Sequence, residues 1–86
     1  MKIFVAKLGF DTRSGDLFAL FSKFGKVDSA KVIMDRDTNR SKCYGFVEMP
    51  NENEAYVAVV ELNECIFQKS VINVKKSKQK QVEYHV

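Results

Sequence analysis

Two helical stripes of apolar residues, set among segments that alternate apolar and polar, constrain this chain more than anything else in it. Residues 2–8 are β-branched and aromatic with a period of two, so Ile3 and Val5 point one way and Lys2, Phe4 and Ala6 the other. Gly9 and the polar run 11–16 end that strand. Over residues 14–24, Leu17, Leu20, Phe21 and Phe24 fall at i, i+3, i+4 and i+7, one face of a helix, with Thr12 or Ser14 as its N-cap and Gly25 as its stop. Residues 27–34 alternate again, Ala30 and Val32 against Lys31 and Ile33, and a polar loop of both charge signs follows from Asp35 to Ser41. The third strand, 42–49, sets Lys42, Tyr44, Phe46 and Glu48 on one face and Cys43, Gly45, Val47 and Met49 on the other. Pro50 stops it. Asn51, with Glu54 three residues on, resembles a capping box and opens a second helix with the stripe Ala55, Ala58, Val59 and Leu62. Cys65 to Phe67 reads as a short hairpin arm, and 70–76 as the last strand, with Ile72 and Val74 opposite Val71, Asn73 and Lys75.

The order β-α-β-β-α-β predicts an α+β, ferredoxin-like sandwich: a four-stranded antiparallel sheet with two helices on one face. Residues 1–76 make the domain and 77–86 a basic, polar C-terminal tail. At 86 residues there is room for one domain only. No apolar run approaches the roughly 18 residues of a membrane span. The opening Met1-Lys2-Ile3-Phe4-Val5 reads as a strand and not as a secretory signal, so a cytoplasmic protein that engages no membrane is expected.

Chemistry finds little foothold. The single histidine, His85, is near the terminus, and Cys43 and Cys65 with one histidine fall short of a four-ligand zinc set. Both cysteines read as reduced structural thiols. No glycine-rich phosphate loop and no nucleophile–base set stands out, so neither an enzyme nor a cofactor is expected.

The two helices suffice to cover only one sheet face. That face collects Ile3, Val5, Ala30, Val32, Val47, Met49, Ile72 and Val74, the aliphatic set a core requires. The open face collects Phe4, Tyr44 and Phe46, with Lys2, Lys31, Ile33, Lys42, Asn73 and Lys75 around them. Leaving large apolar side chains in water forgoes about 1.5–3 kcal/mol each, so an open aromatic cluster wants a ligand. Nucleic-acid bases supply one, at ~1–3 kcal/mol per stack on a ring, and flanking lysines attract phosphates. The bases of a duplex are already stacked inside, so the arrangement points to a single strand.

At these residues the chain resembles the RNA recognition motif family over residues 2–76. The family octamer, K/R-G-F/Y-G/A-F-V-x-F/Y, appears as Lys42-Cys43-Tyr44-Gly45-Phe46-Val47-Glu48-Met49. Its hexamer, an aliphatic–aromatic–aliphatic run ending in Asn-Leu, appears as Ile3-Phe4-Val5-Ala6-Lys7-Leu8. The short chain with Val47-Glu48-Met49-Pro50 looks similar to small stand-alone bacterial members. The resemblance implies single-stranded RNA as the partner, Phe4, Tyr44 and Phe46 as the base-contacting aromatics, and Lys42 as the phosphate-pairing basic residue. Single-stranded DNA offers the same stacking faces. Cys43 stands at the octamer's first glycine and is expected to face the helices and perturb packing. Lys7 replaces the hexamer's asparagine. Asn39, Glu64 and Lys69 stand where the family often has glycine.

Three further signals lie outside the platform. Phe18 and Tyr56 are expected to pack at the margins of their helical stripes, with a protein partner or a second copy of the chain as the alternative. A protein-interaction module of the same fold that uses its helical face is accordingly the second reading of function. Lys75, Lys76, Lys78 and Lys80 are placed to touch the RNA backbone as they leave the last strand, whereas Tyr84 and His85 are not assigned a contact. In the long loop, Arg36 and Arg40 either clamp the RNA or are neutralised by Asp35 and Asp37.

Overall fold

The computed structural model describes residues 1–77. The alternating segments form β1 (Lys2–Ala6), β2 (Ser29–Met34), β3 (Ser41–Glu48), β4 (Ile66–Phe67), β5 (Ser70–Val71) and β6 (Asn73–Lys76), and the stripes form α1 (Ser14–Ser22) and α2 (Glu52–Leu62). Four strands pair antiparallel in the order β2-β3-β1-β6, and β4 and β5 form a separate hairpin. This is the β-α-β-β-α-β sandwich expected from the periodicity. The hairpin interrupts the anticipated last strand at Ile72, so Val71 belongs to the hairpin and not to the open sheet face.

Leu17, Leu20 and Phe21 from α1 and Ala55, Ala58 and Leu62 from α2 join Ile3, Val5, Val32, Val47, Met49, Ile72 and Val74 in one buried cluster. Ala30, Phe24 and Val59 pack against it while remaining half-buried. Cys65 and Phe67 also touch the cluster, and both cysteines are free thiols.

The helix starts obey long-range needs as much as local ones. Asn51 caps α2, its Oδ1 accepting from the Glu54 N–H at 3.0 Å. The Glu54 carboxylate does not return to Asn51 but accepts from the Lys26 N–H at 3.2 Å, tying α2 to the turn after α1. Neither Thr12 nor Ser14 caps α1. Arg13 is the N-cap residue, and its N–H donates to the Asp16 carboxylate at 2.8 Å. The two hydroxyls are engaged elsewhere: Thr12 Oγ1 donates to Gln68 Oε1 at 2.7 Å, and Ser14 Oγ accepts from the Val32 N–H at 2.9 Å.

Several turns take a left-handed backbone at residues other than glycine: Lys7, Asn39, Cys43, Glu64, Gln68 and Lys69. Asn tolerates this conformation; for most others it costs on the order of 1–2 kcal/mol. Asn39, Glu64 and Lys69 are the positions where the sequence departs from glycine. Gln68 and Lys69, at φ 51° and 72°, form the two-residue turn of the β4–β5 hairpin, whose geometry favours Asn-Gly. Replacing Glu64 and Lys69 together with glycine is expected to stabilise the fold by about 1 kcal/mol, the relieved strain exceeding the backbone entropy of glycine. A thermal melt checks this; Tm is expected to rise by about 5 °C.

Candidate nucleic-acid interface

The open face is organised by strand register. Phe4 on β1 sits directly opposite Phe46 on β3, and Ala6 opposite Tyr44. Because Ala6 has no bulk, the Tyr44 ring lies over the middle of the sheet, 5.7 Å from that of Phe4; Phe4 and Phe46 are 5.5 Å apart, and Tyr44 and Phe46 6.2 Å. The ring planes of Phe4 are tilted at 44° to Tyr44 and 52° to Phe46, and Tyr44 meets Phe46 edge-on at 89°. All three are half-buried, their inner edges on the sheet and their outer faces open.

Lysines border the rings. Lys2 Nζ lies 4.9 Å from the Phe46 centroid, and Lys75 Nζ 5.9 Å from that of Phe4. Lys31 is exposed and opposite Phe46 in the β2–β3 register. A cation on an exposed ring is worth about 0.5–1 kcal/mol, less than the ~1–3 kcal/mol of a stacked base. At the β6 edge, Phe4, Ala6, Asn63, Asn73 and Lys75 line a shallow depression of about 350 Å³. Asn63 closes that edge by accepting from the Val74 N–H at 2.9 Å. The sequence-expected residues Phe4, Tyr44, Phe46, Lys2, Lys31, Asn73 and Lys75 thus come together, and half-buried Ile33 lies on the β2 edge.

Cys43 behaves differently from its expectation. Val32 pairs with Gly45 and Met34 with Ser41, so Lys42, Cys43 and Tyr44 stand opposite Ile33 alone. This is a bulge in β3, with Cys43 at φ 66° and its N–H on Ser41 Oγ at 2.9 Å. The side chain is half-buried and outside the core cluster, so the residue perturbs backbone and not packing. The same bulge re-aims exposed Lys42 toward the 35–40 loop, near enough to Asp35 to act on its carboxyl.

That loop is internally braced. Asp35 Oδ1 accepts from the Asp37 N–H at 2.8 Å and the Thr38 N–H at 3.1 Å. The bonds from Thr38 and then Asp37, helped by the Lys42 charge, hold the Asp35 carboxyl below its ordinary pKa. Asp35 therefore serves its own loop. A depressed carboxyl contributes stability above the pKa of the unfolded chain and loses it as pH falls through the folded value. Amide protection at Asp37 and Thr38 is accordingly expected to persist from neutral pH into the ordinary aspartate range and to vanish below it; hydrogen exchange compared with D35A reads this.

Away from the sheet, Tyr56 is 65 % exposed and Phe18 43 %, with Val57 and Val60 also exposed on α2. Phe18 and Tyr56 do not pack at the stripe margins as expected: the core is closed by Leu17, Leu20 and Phe21 of α1 and by Ala55, Ala58 and Leu62 of α2 without them. Phe10, at 74 % exposure, is an aromatic that sequence reasoning passed over, since it sits in a loop with no periodic neighbours to assign it a face. Lys78, Lys80, Tyr84 and His85 lie outside the described residues.

Comparison with known proteins agrees with this geometry. The sequence profile of the family described as RNA recognition motif matches residues 3–73. The chain is 50 % identical over 62 residues to the chloroplastic RNA-binding protein CP31B of Arabidopsis thaliana, a match that covers 72 % of this chain and 22 % of that protein. Among solved structures it is similar to RNA binding protein PG1, with 43 % identity, TM-score 0.88 and coverage of 92 % of this chain and 95 % of that one. It is also similar to the Sxl-lethal protein solved in complex with RNA, at 25 % identity and TM-score 0.84, covering 90 % of this chain and 46 % of that one.

Proposed function

The chain belongs to the RNA recognition motif family, and from that premise we propose that it binds single-stranded RNA on the open face of its sheet. One observation carries the reading: Phe4, Tyr44 and Phe46 form a contiguous open cluster, with Lys2 and Lys75 already on its rings. The rings take the faces of successive bases, Lys2, Lys31 and Lys75 hold phosphates, Ile33 and Asn73 border the platform, and Lys42 meets the backbone where the strand turns toward the 35–40 loop. The role is binding without chemistry. Single-stranded DNA shares the stacking faces and phosphates and is bound by the same surface.

A likeness to small bacterial members of the family belongs to the same proposal; PG1 is matched over 95 % of its chain. A cytoplasmic location belongs to the same proposal. The chain spans less than a quarter of the chloroplast relative, so only the motif is compared there. A protein partner on the helical face at Phe18 and Tyr56 is the second reading, favoured by their exposure beside Val57 and Val60. The intact sheet aromatics make it subordinate.

Fluorescence-anisotropy titration with a random pool of short single-stranded RNA, at low and at physiological salt, tests the proposal beside duplex RNA and single-stranded DNA. Binding to the single strands, weak on the duplex and falling steeply with salt, is expected. Equal affinity for the duplex would contradict stacking.

A further inference from the structure

The outer side of α2 faces away from the sheet and, among the described residues, no element covers it. Residues four apart on a helix stack one above the other, so Glu52, Tyr56 and Val60 form one row and Asn53, Val57 and Glu61 the next. All six are exposed. The core side of the helix is already filled by Ala55, Ala58 and Leu62. The outer side is thus an apolar centre of one ring and two valines with a carboxylate at each end. Residues 51–64 hold Glu52, Glu54, Glu61 and Glu64 and no lysine or arginine. The cations on this side of the molecule belong to other elements. Lys23 lines a depression together with Asp16, Lys26 follows α1, and Lys76 ends β6 opposite buried Ile3.

The open sheet face has the same layout with the opposite sign. Its centre is Phe4, Tyr44 and Phe46, and Lys2, Lys31 and Lys75 stand around it, with Glu48 opposite Lys2 as the carboxylate of that face. Two copies meeting helix to helix would set carboxylates against carboxylates. Two copies meeting sheet to sheet would set lysines against lysines. The surface that complements the outer side of α2, in apolar centre and in charge, is the sheet face of another copy. The two surfaces lie on opposite layers of the sandwich, so a pair cannot satisfy both at once and the contact is heterologous.

We propose that the chain self-associates head to tail, with Tyr56, Val57 and Val60 of one copy seated on the aromatic sheet face of the next and the α2 carboxylates among its lysines. This rests on the second reading, a protein partner on the helical face, and names that partner as a second copy. A second copy and single-stranded RNA then occupy the same sheet face and exclude one another. The patch is small, so the contact is a weak one that forms at high concentration and low salt.

The test is sedimentation velocity over a concentration series, at low and at physiological salt. Wild type is expected to associate at low salt with a Kd on the order of 0.1 mM, and about tenfold more weakly at physiological salt. Two double variants separate the faces. Tyr44→Ala with Phe46→Ala keeps the α2 rows and loses the platform; Tyr56→Ser with Val60→Ser does the reverse. Each alone is expected to stay monomeric where wild type associates. Mixed in equal amounts, they are expected to form a 1:1 pair and nothing larger, because each supplies the face that the other lacks. A short single-stranded RNA at saturation is expected to return wild type to monomers. Four results would overturn the proposal: a monomeric wild type at low salt, self-association of either double variant alone, a mixture that stays monomeric, or an association that persists with RNA bound. A mixture that pairs although no RNA binds the wild type would uphold it and remove only the RNA reading of the sheet.

Discussion

Alanine in place of both Tyr44 and Phe46 is expected to weaken binding of single-stranded RNA by about a hundredfold or more while the chain stays folded. Each ring removes one stack worth ~1–3 kcal/mol, and the two together exceed what the remaining lysines supply at physiological salt. The fold tolerates the change because the core lies on the other side of the sheet. Ile3, Val5, Val47 and Val74 are buried there whatever occupies the open face. What is lost is the mutual support of the rings, 5.5 to 6.2 Å apart, on the order of 1–2 kcal/mol. Circular dichroism is expected to report a native spectrum with Tm lower by about 5–10 °C. An affinity within a few fold of wild type would mean that the bases lie elsewhere.

The second large effect concerns the residue between those rings. Gly45 pairs with Val5 on one side and Val32 on the other, and a Cβ there would come within 2.3 Å of the Lys31 carbonyl oxygen and 3.1 Å of the Lys31 carbonyl carbon and the Val32 Cα. Every one of these is a backbone atom, so no side-chain rotation relieves the clash, and β2 must separate from β3. G45A is expected to destabilise the chain by about 3 kcal/mol, a large share of what a domain this small possesses. A fall in Tm on the order of 15 °C follows. RNA affinity per folded molecule should drop as well, because Lys31 and Ile33 leave the platform with β2. Gly15 is the control: a Cβ there meets nothing within 4 Å, and G15A is expected to stabilise α1 by about 0.5–1 kcal/mol. Equal effects at the two glycines would contradict the close approach of β2 to β3.

Faces were legible in the sequence; register and caps were not. Period two assigns Phe4, Tyr44 and Phe46 to one side and Ile3, Val5 and Val47 to the other because a side chain's face depends only on its own strand. The bulge at Cys43 depends on how β2 passes Gly45, a relation between segments, so the residue was placed on the helical face when its backbone is what departs. The cap of α1 went to Arg13 for a similar reason, since the better capping hydroxyls serve Gln68 and Val32. Glycine-like positions announced themselves through resemblance: Glu64 and Lys69 take the left-handed backbone that a glycine would take. Tyr56 is open because the face of α2 that meets the sheet is completed by Ala55, Ala58 and Leu62, and a residue beside a stripe is buried only where the neighbouring element reaches it. Phe10 carried no periodic signal. Its one cue was an aromatic among polar loop residues, and only the fold shows it exposed beside Arg13 and Arg40.

The most direct measurement is an NMR titration of isotope-labelled chain with single-stranded RNA, following ring and backbone resonances together. Ring-current shifts at Phe4, Tyr44 and Phe46, with matching amide shifts along β1 and β3 and little change on α2, are what stacking on the sheet predicts. Shifts confined to Tyr56, Val57 and Val60, with the three sheet rings unmoved, would contradict it.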